Sequence, residues 1–144
     1  MKKYLISAFI FTVLITLLTT SAIADDEAFY TALQRCTPYS SSGQTTTDGA
    51  VVNFQSRIIG KDQDKCIYEE KVSFSGINSC TKCRLSQKQI DELVNVMRAY
   101  STVQRYSGET PDTSSLQNVS NNPVVKVWNK YLMDSSVCTV ELSQ

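Results

Sequence analysis

Five cysteines, Cys36, Cys66, Cys80, Cys83 and Cys138, all lie downstream of a 21-residue stretch, Tyr4 to Ala24, that carries no charge. That order constrains the chain more than its composition does. The uncharged stretch follows Lys2-Lys3, ends in Ala22-Ile23-Ala24 and gives way at once to Asp25-Asp26-Glu27. A basic start, an apolar middle and a small-x-small end are the requirements of an export signal, which must enter a membrane and then fit a peptidase that admits small side chains. Cleavage after Ala24 is therefore expected, with residues 1–24 as signal peptide and 25–144 as one exported domain, periplasmic or secreted. A retained membrane anchor is the competing reading, since about 20 apolar residues span a bilayer. Against it, the strongly apolar part runs only from Leu5 to Leu18, and Thr19-Thr20-Ser21 dilutes the end. No cysteine stands directly after the cleavage point to carry a lipid, the nearest being Cys36, so no membrane association is expected after processing.

In an oxidising compartment thiols pair, and each bridge contributes typically about 2–4 kcal/mol. Five cysteines leave one over, and choosing the odd member and then pairing the other four allows fifteen two-bridge frameworks. Cys36 and Cys66 are expected to pair with Cys80 and Cys83, stapling a first helix and a hairpin to the start of a long helix. Cys138 is then a free or intermolecular thiol, able to link two chains. A sharper alternative is thiol–disulfide exchange at Cys80-Thr81-Lys82-Cys83, because a CxxC at a helix start can have a depressed cysteine pKa. A thioredoxin-like enzyme, however, places that motif near a βαβ unit, and this chain offers a helix and a hairpin instead.

Other chemistry is thin. Histidine is absent, which removes the commonest general base and the commonest metal ligand. One CxxC without histidine supplies half of a closed zinc site, so neither a metal nor a cofactor is expected. Without Lys2 and Lys3 the chain has 12 basic against 14 acidic residues, a net charge of −2. No basic stripe speaks for nucleic acid. The acids are scattered, with neighbours such as Glu69 and Glu70 facing opposite ways along a strand.

Periodicity gives the elements. Phe29, Leu33 and Cys36 share a helical face from Asp25 to Cys36, and Pro38 follows as a stop. Ser40 to Gly49 has no apolar side chain and reads as an exposed loop. Val51 to Ile59 alternates, with Val52, Phe54 and Ile58 on one side; Cys66 to Phe74 alternates with Tyr68, Val72 and Phe74. Joined by a polar turn, these runs predict an antiparallel hairpin. Glu70 interrupts the apolar side, which requires an edge position, a partner or a bulge. After the CxxC, Ser86 and Gln89 match a capping box. The helix beyond it aligns Ile90, Leu93, Val94, Met97 and Tyr100. Tyr106 to Asn122 is polar and predicts a flexible segment, including the sequon Asn118-Val119-Ser120. Asn122-Pro123 then starts a short helix with Val124, Val127, Trp128, Tyr131 and Leu132 on one face. Val137 to Leu142 alternates enough for an edge strand.

The order Cys36-Thr37-Pro38-Tyr39, Ile58-Ile59-Gly60, Lys65-Cys66-Ile67-Tyr68 and a Cys83 leading into a helix resembles small exported bacterial proteins of unassigned function. The resemblance covers roughly Phe29 to Tyr100 and implies an exported α+β domain with disulfides. It transfers no catalytic residues.

The expected fold is thus α+β: a disulfide-bonded domain of about 120 residues, long enough to bury about two thirds of its unfolded surface. Its hairpin packs on the long helix, with shorter helices at either end, and Val52, Phe54, Ile58, Tyr68, Val72, Phe74, Ile90, Leu93, Val94 and Met97 form its core. The expected role is non-enzymatic, a binding or accessory protein acting on a protein or envelope component. Trp128 and Tyr131 are candidates for an apolar binding surface, although core packing is the bland account of large aromatics in a small domain.

Overall fold

The computed structural model describes residues 23–47, 50–107 and 121–143. Residues 1–22 of the expected signal peptide (1–24), the Asn118 sequon and most of the polar stretch after Tyr106 lie outside the described residues. In chain order the elements are α1 (Ile23–Arg35), β1 (Tyr39–Thr47), β2 (Ala50–Asp62), β3 (Lys65–Phe74), β4 (Ile77–Leu85), α2 (Gln87–Ser107), α3 (Pro123–Leu132) and β5 (Cys138–Ser143). The strands form one antiparallel sheet in the order β1-β2-β3-β4-β5. The fold is α+β. Among the described residues no helix is long and apolar enough to cross a membrane.

The hairpin of β2 and β3 sets the apolar register, with Val52, Phe54 and Ile58 opposite Phe74, Val72 and Tyr68. A register shift at Ile59, next to Gly60 at φ 124°, marks a bulge, and β2 then continues to Asp62. The polar run between the hairpin strands thus shrinks to Gln63-Asp64, with Gln63 at φ 57°.

Two strands differ from the expectation. Ser40 to Thr47 is not a loop but most of β1, an edge strand in unbroken register with β2. Serine and threonine have little to bury there, and backbone hydrogen bonds to β2 provide the attachment. Gly43 faces Phe54, whose ring occupies the space a Cβ would take. The second difference is β4. Ser75 and Gly76 both have positive φ, 47° and 80°, which is the two-residue turn geometry that matches the twist of paired strands. It makes β3 and β4 a second hairpin, so the CxxC lies on a strand and not at a helix start. Only small or polar residues, Ser79 and Thr81, stand between Ile77 and Cys83 on the inward side, which hides the alternation.

Helix ends follow local chemistry. The amide of Cys36 donates to the Leu33 carbonyl at 3.1 Å and that of Thr37 to the Ala32 carbonyl at 2.9 Å, a Schellman closure of α1. Glycine is the usual residue at the left-handed position, but Cys36 holds it at φ 51°. A non-glycine residue there costs on the order of 1 kcal/mol, and only a cysteine can also bridge to β3. At the start of α2 the Gln89 carbonyl Oε1 accepts from the Ser86 amide at 2.8 Å, and Ser86 Oγ accepts from the Gln89 amide at 3.4 Å. Ser86→Ala should therefore lower stability by about 1 kcal/mol, and Ser86→Gly by only a few tenths, as read from urea midpoints. Equal midpoints for the wild type and the alanine variant would contradict the cap. Asn122 caps α3 by accepting from the Val124 amide at 2.9 Å.

The helices cover one end of one sheet face. Leu33 of α1, Ile90, Leu93, Val94 and Met97 of α2, and Val124, Trp128 and Tyr131 of α3 pack there with Ile58, Tyr68, Cys83 and Leu85. A second, smaller cluster at the other end of the same face holds Val52 and Val72 with Phe54 and Phe74. Polar ties join the helices: Arg98 donates to Glu27 at 2.7 Å and to Gln34 at 3.0 Å, Gln87 donates to the Gln34 carbonyl at 3.1 Å, and Lys130 donates to Glu92 at 3.0 Å. The Tyr131 hydroxyl also donates to Glu92, and with Lys130 it holds that carboxyl below the ordinary range.

Candidate functional site

The cysteines are not arranged as expected. Cys36 bonds Cys66 and Cys83 bonds Cys138, leaving Cys80 as the free thiol among the described residues. The strand register is the physical reason. Cys80 and Cys83 are three residues apart on β4, and side chains alternate along a strand, so the two sulfurs leave on opposite faces. Cys83 faces the helices and lies directly opposite Cys138 on β5, with Cα atoms 4.1 Å apart. Cys138 is therefore an internal staple and not an intermolecular thiol. As they stand, Cys80 and Cys83 cannot cycle as a dithiol pair.

Trp128 and Tyr131 offer no binding surface either. They are 5% and 4% exposed, and the Trp128 ring lies 5.3 Å from that of Tyr68. The helical spacing that raised them as candidates is the spacing of the inward face of α3.

What the sheet exposes is its other face. Following the register across all five strands, one row reads Gln44, Asn53, Ser73, Asn78, Ser143 and the next Ser42, Gln55, Lys71, Cys80, Glu141. A third row carries Arg57, Glu69 and Lys82. Amides and hydroxyls thus occupy one end of the open face and paired charges the middle. Gln44 Nε2 donates to Asn53 Oδ1 at 3.2 Å within the first row. Glu69 lies 3.7 Å from both Arg57 and Lys71.

The first two rows border a groove of about 480 Å³, lined by Asn53, Gln55, Lys71, Ser73, Asn78, Cys80, Glu141 and Ser143 together with the intervening Val72, Ser79 and Leu142. Cys80 is half-buried in it. Burial pushes the Cys80 thiol above its ordinary range, Glu69 and Glu141 push the same way, and Lys71 and Lys82 oppose them. A thiol raised in this way stays protonated at neutral pH, and the thiolate is the nucleophilic form. The groove can therefore hold a ligand through amide, hydroxyl and charged groups more readily than it can attack one.

Sequence reasoning identified half of this surface as the wet sides of β2 and β3. It missed Asn78, Cys80, Glu141 and Ser143 as neighbours, because β4 and its pairing with β5 were not recognised. The Ser75-Gly76 turn was the available signal. Comparison of the chain with protein-family models, with curated proteins and with solved structures finds no match.

Proposed function

We propose that the chain is an exported, disulfide-stapled protein that acts by binding, with the groove on the open sheet face as its ligand surface. The observation that carries this reading is the placement of the groove. It lies across β2, β3, β4 and β5 on the face opposite the helices, where side-chain amides, hydroxyls, Lys71 and Glu141 converge around a raised-pKa thiol. Sites built on strands hold their groups more rigidly than sites on loops. Two internal disulfides fit an oxidising compartment, and the uncharged leader supplies the route to it. A protonated Cys80, with Cys83 bonded to Cys138, favours recognition over catalysis.

Cys80 also supplies the test. A photo-crosslinker attached through this thiol sits in the groove, whereas one attached to a cysteine introduced at exposed Lys126, in a Cys80→Ser background, sits on the helix layer. Exposed to material from the compartment in which the mature protein is found, the groove probe is expected to give a discrete adduct that the Lys126 probe does not give. No adduct, or the same adduct from both probes, would remove the groove from this reading.

A further inference from the structure

The face beneath the helices is divided by a polar belt. Ser41, Ser56, Glu70 and Thr81 follow one another across β1, β2, β3 and β4, between the large cluster and the small one. All four bridged cysteines belong to the large cluster, as do the buried helix residues named above. Among the described residues the small cluster contains sheet side chains only. That end of the sheet is the one whose reverse face carries the groove, since Asn53 and Ser73 lie beside Val52 and Val72. It has no staple of its own.

Glu70 stands in the middle of the belt, 5% exposed. Among the described residues its carboxylate accepts one side-chain hydrogen bond, from the Tyr68 hydroxyl at 2.7 Å, and that hydroxyl lies 3.4 Å from Ser56 Oγ. An ionised carboxylate has about four acceptor sites, so most of them are left unfilled here. Among the described residues, the groups facing it bring no cation. β2 presents Ser56, β3 presents Tyr68, and β4 presents Thr81 and Ser79, whose Oγ is buried without a partner. The helices over the adjoining cluster present Phe29 and Tyr30 from α1, Ile90, Leu93, Val94 and Met97 from α2, and Trp128 and Tyr131 from α3. Arg57, Lys71, Lys82 and Arg84 leave on the opposite face by strand alternation.

We propose that Glu70 is a proton-operated latch between the two ends of the sheet: protonated, it lets the groove-bearing end stay docked on the stapled end, and ionised, it favours local opening of that end. The driving force is the cost of a buried charge without a countercharge. Burial pushes the Glu70 carboxyl up to about 7, and the Tyr68 hydrogen bond offsets this only in part. A folded-state value above the unfolded 4.5 means that the closed form binds more protons across that interval, so closure is favoured at acid pH and weakens as pH rises towards 7. The small unstapled cluster is what lets the response be local. The latch concerns the sheet itself and stands whether or not the groove has a ligand.

Native-state hydrogen exchange on the mature, oxidised protein tests it. Amides of Val52, Asn53, Val72 and Ser73 are expected to be less protected than those of Leu93 and Val94 at every pH, through an opening that depends little on urea. After correction for intrinsic exchange, their protection should fall roughly 70-fold between about pH 5 and about pH 8, as linkage requires for a carboxyl moving between those two titration points. In Glu70→Gln, which keeps the shape and the acceptor for Tyr68, that fall should vanish. Should the variant not fold, the wild-type Glu70 side-chain carbon resonance gives the answer directly, with a midpoint near 7 expected. The latch is overturned by one shared protection value for both ends, by a fall that persists in Glu70→Gln, or by a Glu70 midpoint near 4.5.

Discussion

Loss of both disulfides is expected to unfold the domain. The bridges close separate loops, Cys36–Cys66 across a separation of 30 residues and Cys83–Cys138 across 55. Chain-entropy arithmetic assigns about 3.6 kcal/mol to the first and about 4.2 kcal/mol to the second. Their sum, about 8 kcal/mol, is comparable with the whole stability of an ordinary domain, roughly 5–15 kcal/mol. The two pairs also fix different elements. Cys36–Cys66 ties the left-handed end of α1 to the start of β3, whereas Cys83–Cys138 pins the edge strand β5 to β4. Urea unfolding of Cys36→Ala/Cys66→Ala and of Cys83→Ala/Cys138→Ala should show a lower midpoint for each, with the larger drop for the second. The quadruple variant should show no cooperative transition. A Cys83→Ala/Cys138→Ala protein with the wild-type midpoint would refute this account, and a peptide map joining Cys36 or Cys66 to Cys80 would refute the pairing beneath it.

Trp128→Ala is expected to cost about 3–5 kcal/mol, the usual range for deleting a buried large aromatic. Its ring seats α3 on the sheet by packing against Tyr68, whose own ring meets Phe29 of α1 at 6.2 Å. One substitution therefore loosens contacts that reach two helices and β3. The same change at a surface-exposed binding residue would shift stability within about 0.5 kcal/mol, so the urea midpoint distinguishes a packing role from the docking role that the amphipathic spacing alone allowed. A near-native midpoint for Trp128→Ala would mean that α3 is not seated as described.

Glu70 shows where sequence reading stops. Its position on the apolar side of β3 was visible as a conflict, and three resolutions were open. The structure selects a partner, Tyr68, two residues away on the same strand face. No periodicity encodes that choice, because it depends on how far the helix layer extends over the sheet. The CxxC shows the same limit from the other direction. Spacing alone made Cys80 and Cys83 look like neighbours in chemistry, yet strand geometry places them back to back.

Local chemistry was legible where it is settled within a few residues. The Ser86–Gln89 box, the Asn122-Pro123 start of α3 and the alternation of Val52, Phe54, Ile58, Tyr68, Val72 and Phe74 could be read directly, because caps and strand faces answer to near neighbours. The Ser75-Gly76 turn was a local signal for the second hairpin, whereas the polar edge strand β1, the two disulfide pairings and the groove around Cys80 were decided by tertiary structure. Each depends on which strands lie side by side, and backbone hydrogen bonds between distant segments carry no signature in either segment alone.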